Sequence, residues 1–341
     1  MTKAVLIEGD GIGPEVSRAT IRVLDAAGAG MEWERHLAGV AAIEAGHAKT
    51  LPQETVDAVV RTGIALKGPC TTPVGGGFSS VNVALRKAAN LYAAVRPVRS
   101  MPGVPTRYSD VDLIVVRENT EGLYAGIENE ITPGVVTSLK VATRPACLRI
   151  AAYAMRMAVA RGRHKVSVFH KANIMKLSDG LFIRCSKEVW ESAYKDRLEY
   201  EELIIDAACM RLVQDPSRFD VVLMENLYGD VISDLCAGLV GGLGVTPGAN
   251  IGEQASVFEA VHGSAPDIAG KGVANPLALM MSGVMMLNHL ATTRDQPGAK
   301  EAATRIRDAY NRALLDGCKT RDLGGSLGTE GFADAVIERL A

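Results

Sequence analysis

Short apolar runs alternate with stretches of helical spacing along most of this 341-residue chain, and the runs end on polar side chains. Residues 4–7, 111–116, 165–170, 203–205 and 219–224 read as buried strands. Between them, Val16, Ala19, Val23 and Ala27 recur at helical spacing behind Pro14. Residues 145–162 have a proline start and a glycine stop, and Met280, Val284 and Leu287 form one stripe. Residues 135–142 alternate more loosely between Gly134 and Pro145, as a hairpin arm does. This alternation predicts an α/β fold. Arg117, Lys171, Asp206 and Asn226 stand just past four of the runs. Ligands of open α/β sheets collect at the carboxyl ends of strands, so this is a site pattern; its structural alternative is a layer of salt bridges.

The stretch 67–99, KGPCTTPVGGGFSSVNVALRKAANLYAAVRPVR, is the densest in polar chemistry. Gly68-Pro69, two threonines and three consecutive glycines lead to Ser79, Ser80 and Asn82, which open a helical segment carrying Arg86. Free backbone N–H groups at a helix start attract anions, and arginines one and three turns on (Arg86 and Arg96) grip carboxylates with two donors at once. The set predicts a binding site for a small polyanion. A net charge of −2 gives no global field for nucleic acid or an anionic membrane, so neither is an expected partner. Residues 277–287 are apolar, but Asn288 and His289 end the run short of a bilayer's span. Six cysteines are scattered without CxxC pairs, which fits a reducing compartment. With a start that runs directly into a strand, this predicts a cytoplasmic location.

Two motifs need closer reading. Gly9-Asp10-Gly11-Ile12-Gly13-Pro14 places proline where a dinucleotide fingerprint needs its third glycine, so that fingerprint fails and a tight turn is the plainer reading. In Asn226-Leu227-Tyr228-Gly229-Asp230-Val231-Ile232-Ser233-Asp234, a helix starting near Asp230 puts Asp230 and Asp234 on one face. Like charges there destabilise a helix unless a cation sits between them, and such a pair suits Mg²⁺ or Mn²⁺.

GDGIGPE, KGPCTTPVGGGFSSVNVALR, RENTEGLYAGIE, HKANIM, ENLYGDVISD and HGSAPDIAGKGVANP occur in this order from residue 7 onward, and the resemblance runs past residue 320. The chain thereby resembles the isocitrate and isopropylmalate dehydrogenase family. The resemblance implies a metal-dependent, β-decarboxylating dehydrogenase with a two-lobed, non-Rossmann α/β fold. The large lobe would comprise residues 1–98 and 247–341 and bind the dinucleotide. The small lobe, 99–246, would carry the dimer contacts, the metal and catalytic residues, and a protruding β arm at about 126–143. Ser80 and Asn82 resemble the members acting on isocitrate, because isopropylmalate members place apolar residues there.

Residue by residue, the family implies that Arg86, Arg96 and Arg117 hold substrate carboxylates, while Ser80 and Asn82 reach the terminal one. Thr72 would lie between substrate and nicotinamide, with Asn173 lining the same place. Asp230, Asp234 and the partner's Asp206 would bind Mg²⁺ or Mn²⁺. Lys171 of the partner subunit and Tyr124 would move protons. His262, Gly263, Ser264, Ala265, Asp267, Ile268 and Asn275 would form the dinucleotide site. Asp267-Ile268 replaces the Lys-Tyr pair of NADP-dependent relatives, and a carboxylate there repels a 2′-phosphate, which points to NAD; Arg321 is the one basic residue against it. The implied reaction is NAD-dependent oxidation and decarboxylation of isocitrate to 2-oxoglutarate and CO₂ by a homodimer, or a higher oligomer, with composite active sites. The alternatives are a dehydrogenase for homoisocitrate or another 3-substituted malate, and a non-catalytic regulatory subunit.

Overall fold

A computed structural model describes residues 1–71 and 80–340. It divides into two compact units. The first comprises 1–91, 100–109 and 240–341; the second comprises 92–99 and 110–239. The units differ from the expected boundaries at 98/99 and 246/247. Strand Ala93–Arg99 pairs antiparallel with Asp112–Glu118, so residues 92–98 belong to the second unit, while 100–109 and 240–246 fall in the first.

In the first unit, Thr2–Ile7 is flanked by Met31–His36 and Ile64–Lys67, both parallel to it. Ser256–Ala260 continues parallel beyond Ile64–Lys67, and Pro247–Ile251 pairs antiparallel with it. The unbroken apolar runs Ala4–Ile7 and Ile64–Leu66 are fully buried, as strands covered on both faces require. Helix Gly13–Ala26 buries Val16, Ala19 and Val23 at the expected spacing. Helix Leu277–Thr293 is apolar and mostly buried, and among the described residues no helix is long and apolar enough to cross a membrane.

The glycine turn after Thr2–Ile7 is a backbone clamp. Gly9 and Gly11 take positive φ values of 76° and 59°. A Cβ on Gly9 would stand 2.0 Å from the Pro69 carbonyl oxygen, and one on Gly11 would stand 2.1 Å from that of Ser264. Protein backbone thus fills the space into which a dinucleotide turn admits pyrophosphate. Between them, the Asp10 carboxylate accepts the N–H groups of Val40, Ala41 and Thr71 at 3.0, 2.8 and 2.6 Å.

The second unit repeats the pattern. Asp112–Glu118, Val221–Met224, Lys165–His170 and Glu199–Ile204 run parallel in that spatial order, with Ala93–Arg99 antiparallel beside the first. Glu199–Ile204 begins four residues before the apolar signal at 203, because its polar first half is only partly covered. The arm is a hairpin of Gly122–Thr132 and Val135–Val141, slightly longer than the expected 126–143 on its first strand. Ile131 and Val136 on it are about two-thirds exposed. Helix Arg144–Ala160 matches the proline-to-glycine segment, with Thr143 accepting the Ala146 N–H at 3.4 Å.

The first unit also buries a full ion pair. Lys67, 2 % exposed, lies 2.7 Å from Glu259, which also accepts from Asn250 at 2.7 Å and from Arg86 at 3.3 Å. Burial pushes the Glu259 carboxyl up, but Lys67 and Arg86 override it and hold it below the usual range. Burial pushes Lys67 down, and Glu259 overrides that, leaving it raised. The depressed Glu259 contributes stability that is present above its unfolded pKa, about 4.3, and lost as pH falls through the folded value. The raised Lys67 contributes below about 10.4 and loses that contribution as pH rises through its folded value. Glu259→Gln should therefore lower the unfolding free energy at pH 7 by about 3–5 kcal/mol, since it leaves Lys67 buried and unpaired. Urea unfolding across pH should show this deficit shrinking toward acid; a deficit constant down to pH 3 would contradict the pairing.

Candidate active site

Register first places two arginines together. Arg96 lies opposite Val115, and Arg117 is two residues beyond Val115 on the same strand, so both side chains leave one face of the second unit's sheet. Arg96 is therefore on a strand. It was expected three turns along a helix, but that helix, Val81–Ala88, ends before Asn90, whose φ is 47°.

Against this face lies helix Asn226–Leu239. It begins at Asn226, a turn earlier than Asp230, because the Glu225 carboxylate accepts the N–H groups of Leu227 and Tyr228 at 3.3 Å each. Gly229 makes the close approach possible: a Cβ there would stand 2.4 Å from Arg117 Cγ. Arg117, 1 % exposed, donates Nε and Nη2 to Asn226 Oδ1 at 3.0 and 2.6 Å and Nη1 to Asp230. Arg96 donates to Ser233 and, at 3.2 Å, to Asp234, while its Nη2 lies 3.9 Å from Asp230. The cation required between the two aspartates is, within the chain itself, a guanidinium. Tyr124 completes the group, donating its hydroxyl to Asp230 Oδ2 at 2.5 Å beneath the Arg117 guanidinium, 4.9 Å from its ring centre.

These contacts set the protonation states. Burial pushes the Asp230 carboxyl up, but Arg117, the Tyr124 hydroxyl and Arg96 override it and hold it below the ordinary carboxylate range. Burial and then Asp230 raise the Tyr124 phenol above its ordinary value, so it stays a proton donor at neutral pH.

Lys171 and Asp206 emerge at the carboxyl ends of adjacent parallel strands, where His170 pairs with Ile204. Lys171 Nζ lies 2.7 Å from Asp206 Oδ1 and lowers the Asp206 carboxyl by that hydrogen bond. Asn173 stands exposed in the turn after Lys171. Asp206 is thus engaged with Lys171 while Asp230 and Asp234 face the arginines. Among the described residues no group of three His, Cys, Asp or Glu side chains is arranged within this chain to hold a metal ion.

The first unit holds the remaining residues. Ser80 Oγ caps helix Val81–Ala88, accepting the Val83 N–H at 3.5 Å. Asn82 Oδ1 and Arg86 Nε are buried without partners among the described residues. Thr72 and Ser79, with the three glycines, lie outside those residues. Beyond strand Ser256–Ala260, His262 Nδ1 meets the Gly263 carbonyl at 3.0 Å, while its buried Nε2 has no partner among the described residues. Burial lowers its imidazole, keeping it neutral. Ser264 meets Thr71 Oγ1 at 2.5 Å, Ala265 holds a left-handed φ of 40°, and Asp267 and Ile268 follow in one short turn with Asp267 exposed. Asn275 donates to Asp322 at 2.9 Å and caps helix Leu277–Thr293 by accepting the Leu277 N–H at 3.0 Å.

Sequence reasoning did not single out Glu259, Lys67, Ser233, Gly229 or Asp322. Lys67 ends the apolar strand Ile64–Lys67, the signal that did mark Arg117 and Lys171, whereas Glu259 lies inside Ser256–Ala260 with Ala260 and Val261 after it.

The profile of the isocitrate/isopropylmalate dehydrogenase family matches residues 3–336. The chain belongs to this family. It is 52 % identical over 339 residues to the NAD-type isocitrate dehydrogenase catalytic subunit 5, mitochondrial, of Arabidopsis thaliana, spanning 99 % of this chain and 88 % of that protein. It is 50 % identical over 318 residues to the chloroplastic 3-isopropylmalate dehydrogenase of Solanum tuberosum, spanning 93 % and 86 %. The crystal structure of isocitrate dehydrogenase from Methylococcus capsulatus superposes with a TM-score of 0.93 at 48 % identity, covering 100 % of this chain and 99 % of that one. The fold is therefore the α/β fold of this dehydrogenase family. The expectation of a cytoplasmic location is overturned, because similar isocitrate dehydrogenase subunits, including human subunit alpha, are mitochondrial. Scattered free thiols fit any reducing compartment and do not single out the cytoplasm.

The phenol shift gives a direct check. With ¹³Cζ-labelled tyrosine, the Tyr124 resonance, assigned by its loss in Tyr124→Phe, should titrate above the ordinary tyrosine range of about pH 10. In Asp230→Asn it should titrate at lower pH, because the nearby negative charge is gone. An unchanged midpoint would show that Asp230 does not hold the phenol.

Proposed function

We propose that the protein catalyses the NAD-dependent oxidation and decarboxylation of isocitrate to 2-oxoglutarate and CO₂, as a homodimer with active sites drawn from both copies. The convergence of Arg96, Arg117 and Tyr124 on Asp230 and Asp234 carries this reading. It offers fixed guanidinium groups for a polycarboxylate, a protonated phenol, and a pair of hard oxygen donors. The donor chemistry fits Mg²⁺ or Mn²⁺, held by Asp230 and Asp234 with Asp206 from the second copy. Such an ion would polarise the substrate's oxygen atoms as a Lewis acid.

Arg86, Arg96 and Arg117 orient the substrate carboxylates, and Asn82, with a buried polar atom unmet among the described residues, faces the terminal one beside Ser80. Thr72 and Asn173 line the place where substrate meets nicotinamide. The partner's Lys171 would take the proton of the C2 hydroxyl, and NAD, when bound, would supply the acceptor for hydride from that carbon. Once CO₂ has departed, Tyr124 returns a proton to carbon from a phenol held protonated by burial and by Asp230. His262 to Ser264, Ala265, Ile268 and Asn275 form the dinucleotide site. The exposed Asp267 accepts hydrogen bonds from free ribose hydroxyls and repels a 2′-phosphate, and Asp322 places a second carboxylate beside Arg321.

Retention of Tyr124, Lys171 and all three aspartates favours a catalytic over a regulatory subunit, and polar Ser80 and Asn82 favour isocitrate over isopropylmalate. The purified chain alone should turn over isocitrate with NAD and a divalent cation faster than homoisocitrate or isopropylmalate, and faster than with NADP. Activity only after addition of a second, different subunit would establish the regulatory reading instead.

Composite sites make a separate prediction. Lys171→Ala and Tyr124→Ala homodimers should each be severely impaired, provided that both are folded and dimeric. Refolded together in equal amounts, they should give about half heterodimers, in which one site carries both lesions and the other neither. Roughly a quarter of wild-type activity should return if assembly is random and sites are independent. No recovery, with heterodimers confirmed by mass, would assign Lys171 and Tyr124 to the same copy's site.

A further inference from the structure

Lys140 lies on the arm strand Val135–Val141, whose neighbouring Leu139 is half exposed, yet its own side chain is largely buried in the body of the second unit. Its ammonium group pairs with Asp179, lies 3.4 Å from Glu225 Oε1, and stands 4.6 Å from the centre of the Tyr228 ring. Each carboxylate holds a segment that the composite reading assigns to a different one of the dimer's two sites. Asp179, 2 % exposed, accepts the backbone N–H of Lys171 at 2.7 Å through its other oxygen. Glu225 accepts the N–H groups that start the helix bearing Asp230 and Asp234. One cation therefore sits between the anchor of the Lys171 turn and the cap of the aspartate helix.

We propose that Lys140, acting through Asp179 on one composite site and through Glu225 on the other, is a positioning residue for the proton-transfer chemistry. The inference rests on the reading of Lys171 and Asp230 given above. Without the ammonium group, two poorly solvated carboxylates face each other with no cation between them, and like charges in a low-dielectric setting repel or take up a proton. Either outcome weakens the Asp179 acceptor that fixes the Lys171 backbone and moves the cap of the aspartate helix. A charged acceptor holds an N–H group about twice as strongly as a neutral one, so the ammonium group beside Asp179 supports its hold on the Lys171 backbone. Lys140 itself touches none of the three arginines read as holding the substrate carboxylates. The effect should thus fall on turnover rather than on affinity.

The test compares Lys140→Met with Lys140→Arg in the full-length protein, using isocitrate, NAD and Mg²⁺. Lys140→Met should keep its assembly state and melting curve, lose about tenfold or more in kcat, and hold its KM for isocitrate within about threefold. Lys140→Arg, which keeps the charge, should recover kcat to within about threefold of wild type. A folded Lys140→Met with wild-type kcat overturns the proposal, as does a loss that arginine does not relieve. If Lys140→Met does not fold, Asp179→Asn decides, since it keeps the shape and removes the charge: a comparable fall in kcat supports the proposal and wild-type kcat overturns it. Lys171→Ala separates the two levels. Full activity in Lys171→Ala would sink the functional reading itself, whereas an inactive Lys171→Ala beside a fully active Lys140→Met would sink the positioning role alone.

Discussion

Two carboxylates one helical turn apart repel each other, and the second unit is arranged around a positive answer to that repulsion. Arg96 and Arg117 supply it from one sheet face, fixed by a register that no side chain can adjust. Gly229 removes the atom that would keep the helix off Arg117, and Asn226 accepts two of the guanidinium's donors. Tyr124 is then held over Asp230 as a neutral phenol. Each of these residues is intelligible only with the others in place, because a buried guanidinium without its acceptors would be costly.

The first unit solves a related problem at greater depth. Lys67 and Glu259 are set opposite each other by the register of neighbouring parallel strands, and Arg86 and Asn250 use Glu259's remaining capacity. The Asp10 clamp does the same for backbone donors, tying the first turn to Val40, Ala41 and Thr71. These contacts fix where Arg86 and the segment leading toward residue 72 begin.

Much of this was readable in the sequence, for physical reasons that also mark the limit. Strand ends such as Arg117 and Lys171 stand out because a charged side chain after an apolar run has few structural explanations. The failed dinucleotide fingerprint was legible because Pro14 stands where its third glycine would, and a pyrrolidine ring fills the space that glycine leaves for close helix–strand packing. Gly229 and Glu259 were not legible: what each does depends on a residue more than a hundred positions away, Arg117 for one and Lys67 for the other. Arg96 was misplaced on a helix because the apolar residues around it suit either period, and only the partner strand Asp112–Glu118 decides between them. Lys140 was not singled out, since alternation in the hairpin arm 135–142 does not say which face meets protein.

Depth also separates the ion pairs that are fixed from those that can be exchanged. Lys67 and Glu259 share a site closed to water, where losing either partner leaves a charge that no solvent can stabilise. Lys171 and Asp206 form a pair of similar length at the surface, with Asp206 mostly exposed. Water and salt replace much of that attraction, so breaking it costs little. A carboxylate and an amine held this loosely at the ends of two strands keep their positions, which the backbone sets, while remaining free to change partners. Asp230 lies between these limits, half buried and answered by two guanidinium groups. The second unit thus joins a rigid cationic face to a labile lysine and aspartate. In the proposed reading, a site that binds a polycarboxylate and moves protons within it draws that combination from two copies, because the first task rewards preorganised charge and the second requires groups whose partners can be exchanged.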